Sequence, residues 1–145
     1  MIEPLRFSLT VDCPPDHAFR VWTEKTSAWW PREHTATGER GLSIVFEPRP
    51  GGRIFERTAD GREIQWGEVV RWEPPYLLAY RWHIATDRDG ATDVEIRFRD
   101  AGGRTAIEIE HGGWDRLLER GRPWRDVNRG GWDGVLPVYV EACRA

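Results

Sequence analysis

Between Gly41 and His111 the chain is a series of short alternating segments separated by turn residues, and this pattern restricts the possible folds more than any other feature. The candidate strands are Leu42–Glu47, Arg53–Thr58, Ile64–Trp72, Leu77–Ala85, Thr92–Arg99 and Thr105–His111. The breaks are Pro50-Gly51-Gly52, Asp60-Gly61, Glu73-Pro74-Pro75, Asp89-Gly90 and Ala101-Gly102-Gly103. Glycine there supplies positive φ and proline a fixed φ, so each strand reverses onto its neighbour. Connections this short join antiparallel strands. Ahead of this meander, Leu5, Phe7, Leu9 and Val11 alternate with Arg6, Ser8 and Thr10, which predicts a first strand with one wet face.

Two short helices follow that strand. Asp12 or Cys13 can cap the first, Pro14 suits its first turn, and Ala18, Phe19 and Trp22 recur at helical spacing. A second short turn carries Trp29 and Trp30 and stops at Pro31. At the other end, Trp132, Val135, Leu136, Tyr139, Val140 and Cys143 form an apolar stripe at i, i+3, i+4, i+7, i+8 and i+11. Pro137 lies inside that stripe and predicts a kink or a late helix start. A sheet with one apolar face must be covered, and the striped helix is the available cover. The expectation is one α+β domain over residues 1–145, with six or seven curved antiparallel strands around a long C-terminal helix.

Composition removes several function classes. At 145 residues the chain can bury roughly 68–70% of its unfolded surface without metals or disulfides. The net charge is -3 and acids are interspersed with bases, which argues against a nucleic-acid footprint. No apolar run is long enough to span a bilayer, and the first residues carry no signal-peptide pattern, so a cytoplasmic setting is expected. Cys13 and Cys143 have neither CxxC spacing nor a nearby histidine pair, so no metal site and no cofactor are expected. No phosphate-cradling or nucleophile-elbow motif is present.

Nine tryptophans are more than one small core comfortably holds. Core packing accounts for some, and a cavity or cleft lined by indoles for others. Strand parity puts Trp82 inward, leaves His83 outward, and puts His111 on the apolar side with Ile107 and Ile109. Gly67 suggests a bulge that re-aims Trp66. Trp30, Trp66, Trp82 and Trp132 then form a candidate lining, with the Tyr139 hydroxyl offered from the helix. Parity in Arg53–Thr58 is ambiguous: Glu56 faces in with Ile54, or Arg53 and Arg57 face in with Phe55. A carboxylate in a dry cavity requires a base such as Arg53 or His111 unless its pKa rises.

The ordered set of segments resembles the helix-grip (SRPBCC) superfamily of START domains, polyketide cyclases and the birch-pollen allergen. Within it the chain is similar to the bacterial branch related to the activator of the heat-shock-protein-90 ATPase. The pieces that carry the resemblance are Pro15-Asp16-His17-Ala18-Phe19 with Trp29-Trp30-Pro31, Phe46-Glu47-Pro48-Arg49-Pro50-Gly51-Gly52-Arg53 with Glu56, and Trp66-Gly67-Glu68-Val69 with Glu73-Pro74-Pro75 and Leu78. To these are added Thr92 to Phe98, Thr105 to His111, and Gly131-Trp132-Asp133-Gly134-Val135-Leu136. The resemblance implies a helix-grip fold with a cavity, and it gives weight to Glu56.

Three functions follow as expectations. The first is a binding protein for an apolar or aromatic small molecule, held by the indoles and oriented by Glu56 and His111. The second is a cyclase- or hydrolase-like enzyme using that Glu and His as acid and base. The third is a chaperone-associated protein partner, for which Arg116 to Arg125 is the one locally basic stretch. The residues support a binding pocket better than a catalytic centre.

Overall fold

The computed structural model describes residues 1–86 and 88–144. Strand β1 (Leu5–Val11) is followed by helices α1 (Pro15–Thr23) and α2 (Thr26–Trp29) and a 3-10 turn, Arg32–His34. Strands β2 (Ser43–Phe46), β3 (Arg53–Arg57), β4 (Glu63–Glu73), β5 (Leu77–Trp82), β6 (Thr92–Asp100) and β7 (Thr105–Gly112) come next. A 3-10 segment, Trp114–Arg120, leads into the long helix α3 (Gly121–Ala142). The seven strands make one antiparallel sheet in the order β1-β7-β6-β5-β4-β3-β2. This is the helix-grip arrangement the meander predicts, with the hairpins in sequence and β1 closing onto β7.

Alternation sets the inner face. Val94, Ile96 and Phe98 of β6 and Ile107, Ile109 and His111 of β7 are buried, and the residues between them face outward. Strand β4 departs from strict pairing twice. Ile54 pairs with Gly67 but Phe55 with Gln65, so Trp66 is the extra residue; Val69 pairs with Tyr80 but Arg71 with Ala79, so Val70 is extra. Each bulge adds local twist and bends the sheet around the helix. Gly67 is required there, because a Cβ would run into the backbone carbonyl of Arg81 on β5.

The parity question in β3 resolves with three consecutive buried residues, Ile54, Phe55 and Glu56. Phe55 is on the outer face, where the guanidinium groups of Arg53 and Arg57 cover its ring at 4.3 and 5.3 Å. Ile54 and Glu56 point inward.

Three local expectations are corrected. Helix α1 begins one residue later than the cap assignment implied, with Pro14 as its cap and Pro15 in its first turn. Helix α3 starts at Gly121 and runs without interruption through Pro137. Pro137 is exposed, so the carbonyl of Asp133 that loses its partner faces water and no buried group is orphaned. His83 is buried, not outward, because β5 ends at Trp82 and the chain turns into Ala85 at a φ of 62°. Alternation therefore no longer applies at His83, and neither of its ring nitrogens has a partner among the described residues.

Candidate functional site

Helix α3 lies across the concave face and is fixed there by aromatic contacts. Tyr139 packs on Trp22 with ring centroids 4.8 Å apart, and its hydroxyl donates to the Ala18 carbonyl at 2.7 Å. Burial pushes the Tyr139 phenol well above its ordinary pKa, so it stays a neutral donor. Trp132, one heptad earlier, rests on Phe7 of β1 and stacks near Trp22. The lower half of α3 thus fills the interior. The upper half, from Gly121 to Gly131, is less buried and borders a gap.

That gap is a cleft of about 380 Å³, open to solvent, between the upper half of α3, the 3-10 turn Arg32–His34 and the end of β5. Its walls are the indoles of Trp30, Trp82, Trp124 and Trp132, with Glu33 and His34 at the rim. Trp30 and Trp82 form adjoining walls, 5.9 Å between centroids at 56°. The His34 ring lies against Gly134, where any Cβ would collide with its Nε2, so the glycine lets the rim close onto α3.

The seven candidate residues divide into two layers. Trp30, Trp82 and Trp132 line the cleft. Glu56, Trp66, His111 and Tyr139 are buried behind it and hold the lining in place. Neither Arg53 nor His111 neutralises Glu56. Its carboxylate accepts from the backbone N–H of Ala36 at 2.6 Å and of Thr37 at 3.1 Å, from the Thr37 hydroxyl at 2.7 Å, and from the Trp66 indole at 2.7 Å. Four donors saturate it and tie the loop after the 3-10 turn to the sheet. Arg53 pairs with Glu47 and Glu63 on the outer face.

His111 belongs to a separate chain of hydrogen bonds. Trp132 Nε1 donates to its Nδ1 at 2.9 Å, and Thr92 Oγ1 lies 2.7 Å from its Nε2. An indole only donates, so Nδ1 is the acceptor and Nε2 carries the proton, which goes to Thr92. Thr92 in turn donates to the Trp82 carbonyl at 3.4 Å. Desolvation pushes the His111 pKa from 6.5 down to about 3, which keeps the ring neutral. This chain of bonds runs from α3 through β7 and β6 to β5 and links the Trp132 indole to the Trp82 backbone. Because Glu56 and His111 each have their own full set of partners, the acid–base pair considered from sequence does not form.

The N–H groups of Trp30, Trp66 and Trp132 are engaged by the His34 carbonyl, Glu56 and His111 respectively. Trp30 and Trp132 therefore offer the cleft ring surface, not donors. Trp124, Glu33 and His34 escaped the sequence reading. Trp124, Val127, Asn128, Gly131, Trp132 and Val135 continue one helical stripe upstream, and that spacing was the available signal. Arginines and the Gly130-Gly131 pair interrupt it.

Residues 12–137 match the family described as Activator of Hsp90 ATPase homolog 1-like protein, and the chain belongs to that family, a branch of the SRPBCC superfamily. Among solved structures it is similar to the anthrahydroquino-γ-pyrone synthase Txn09, at 33% identity over 84% of each chain and a TM-score of 0.61. It also shares its fold with the self-sacrificing resistance protein CalC from Micromonospora echinospora, at 23% identity over 97% of this chain and 91% of that one, TM-score 0.69. CalU16 from the same organism shares the fold at 21% identity over 94% and 71% of the two chains, TM-score 0.60. No curated, functionally described protein matches the sequence. No helix among the described residues is long and apolar enough to cross a membrane, and they contain no cluster of side chains suited to a metal ion.

Proposed function

We propose that this protein binds a planar aromatic small molecule in the cleft between α3 and the end of β5. The observation that carries this reading is the four-indole lining, Trp30, Trp82, Trp124 and Trp132, around an open volume of about 380 Å³. That volume accommodates two or three fused rings, within the range of roughly 300–1,000 Å³ typical of ligand pockets. Indole faces favour offset or edge contacts with another ring, each worth about 0.5–1.5 kcal/mol beyond area burial. The relative at 33% identity is named for a polycyclic aromatic product, which supports the same ligand class here.

Binding is favoured over acid–base catalysis through Glu56 and His111, because both groups are saturated by protein partners and lie behind the lining. The test is a titration with 1-naphthylmethanol followed by tryptophan fluorescence and calorimetry. Saturable binding is expected, weakened at least about tenfold by Trp124→Ala, which removes a cleft wall on the half-buried side of α3. Absence of saturable binding, or affinity unchanged in Trp124→Ala, would count against the cleft as the site.

A further inference from the structure

The chain carries 21 basic residues, yet none of them lines the cleft. Among the described residues, the only formally charged side chain in its lining is Glu33. Glu33 stands exposed on the 3-10 turn beside Trp30, and among the described residues no arginine, lysine or histidine comes within ion-pairing distance of it. It differs in this from the outer-surface carboxylates that pair with arginine, as in Arg6–Glu110, Arg57–Glu63 and Arg116–Asp93.

The same exclusion holds for the ring faces. Guanidinium groups do lie over an aromatic ring elsewhere, where Arg53 and Arg57 cover Phe55. Among the described residues no cation of the protein lies over Trp30, Trp82, Trp124 or Trp132. Four electron-rich faces and a carboxylate with no ion-pair partner among the described residues therefore border a space that no lysine or arginine lines. An indole is the best side chain for holding a cation by its face, within about 6 Å of the ring centre, and the attraction strengthens in a partly desolvated site. A carboxylate at the rim adds Coulomb attraction in a medium less polar than water. Both terms repel an anion.

We infer that the ligand of this cleft is an aromatic cation: a ring system bearing a protonated or quaternary amine, with the rings between the indoles and the nitrogen toward Glu33. The inference rests on the aromatic-cleft reading above and narrows it by charge. It excludes carboxylate-bearing aromatics as the preferred occupants.

Three naphthalene probes that share one ring system separate these terms: (1-naphthylmethyl)trimethylammonium, 1-naphthylmethanol and 1-naphthaleneacetate. Calorimetry with the full chain is expected to show the ammonium binding roughly tenfold tighter than the alcohol, with the acetate weakest. In Glu33→Gln the ammonium is expected to lose about threefold or more while the alcohol is unchanged, and Glu33 is an exposed position where the substitution leaves folding intact. If the alcohol or the acetate binds as tightly as the ammonium, the charge inference is overturned and the aromatic-cleft reading stands. If Glu33→Gln leaves the preference untouched, the assignment to Glu33 is overturned. If none of the three binds, the reading and the inference fall together.

Discussion

Trp132 on α3 donates its indole proton to Nδ1 of His111 on β7 at 2.9 Å, and this bond decides the protonation state of the histidine. A protonated imidazole would present an N–H to the indole N–H, donor against donor. The pairing and the dry surroundings favour the same neutral ring, whose pKa is pushed down to about 3. The helix is consequently anchored to the sheet through a group that must not take up a proton.

The consequence for pH is directional. In the unfolded chain this histidine titrates near its ordinary 6.5; in the fold it stays neutral down to about 3. Between those values the unfolded state holds the extra proton, so stability falls as pH falls. The contribution is complete above 6.5 and declines below it by up to about 1.4 kcal/mol per pH unit. In His111→Phe that component of the slope should vanish. Urea denaturation of both proteins at pH 7, 6 and 5 reads it as a difference, in which the surface carboxylates cancel. At pH 7 the variant should be less stable by about 1–3 kcal/mol, because Trp132 loses its acceptor. Parallel stability–pH curves would argue against a buried neutral His111.

Glu56 plays the equivalent part for the rim. Replacing it with Gln retains the shape but removes the charge and turns an N–H₂ toward donors. A loss of about 2–4 kcal/mol is expected. Hydrogen exchange should quicken at the Ala36 and Thr37 amides, which the carboxylate now holds. Unchanged protection at those two amides would show that the loop is held by something else.

Much of this architecture was readable from residues alone, and the failures have a common physical origin. The β1 limits, and those of β6 to within one residue at its end, follow from period-two alternation, a local signal. The partners of Glu56 do not, because three of its four donors come from a loop 19 and 20 residues earlier that has no periodicity. His83 was misread because parity was carried past the end of β5. Helix α3 was legible from Trp132 onward, where the stripe is dense and buried. Its upper half was hidden because Trp124, Val127 and Asn128 face a cleft instead of a core, among arginines and glycines that dilute the pattern.

The glycines of α3 should respond oppositely to alanine. A Cβ at Gly130 meets nothing within 4 Å, so Gly130→Ala should stabilise by about 0.5–1 kcal/mol through helix propensity alone. A Cβ at Gly134 strikes the His34 ring, so Gly134→Ala should destabilise and push the rim off the helix. Thermal unfolding of the two variants checks the contrast, and equal shifts would contradict the close approach at Gly134.

Pro137 offers a second gain on the same helix. Pro137→Ala restores an N–H that can reach the Asp133 carbonyl on an exposed face, and a gain of about 1–3 kcal/mol is expected in denaturant unfolding. No gain would mean that the helix around Pro137 is less regular than described.

The central claim is that four particular indoles, of nine in the chain, form a ligand site. Indole ¹H–¹⁵N spectra, assigned with single Trp→Phe variants, can follow all nine during addition of 1-naphthylmethanol. The resonances of Trp30, Trp82, Trp124 and Trp132 should shift together and saturate, while Trp72, packed on Phe19 away from the cleft, stays in place. Unmoved cleft indoles at high probe concentration, or shifts centred on Trp72, would contradict the site.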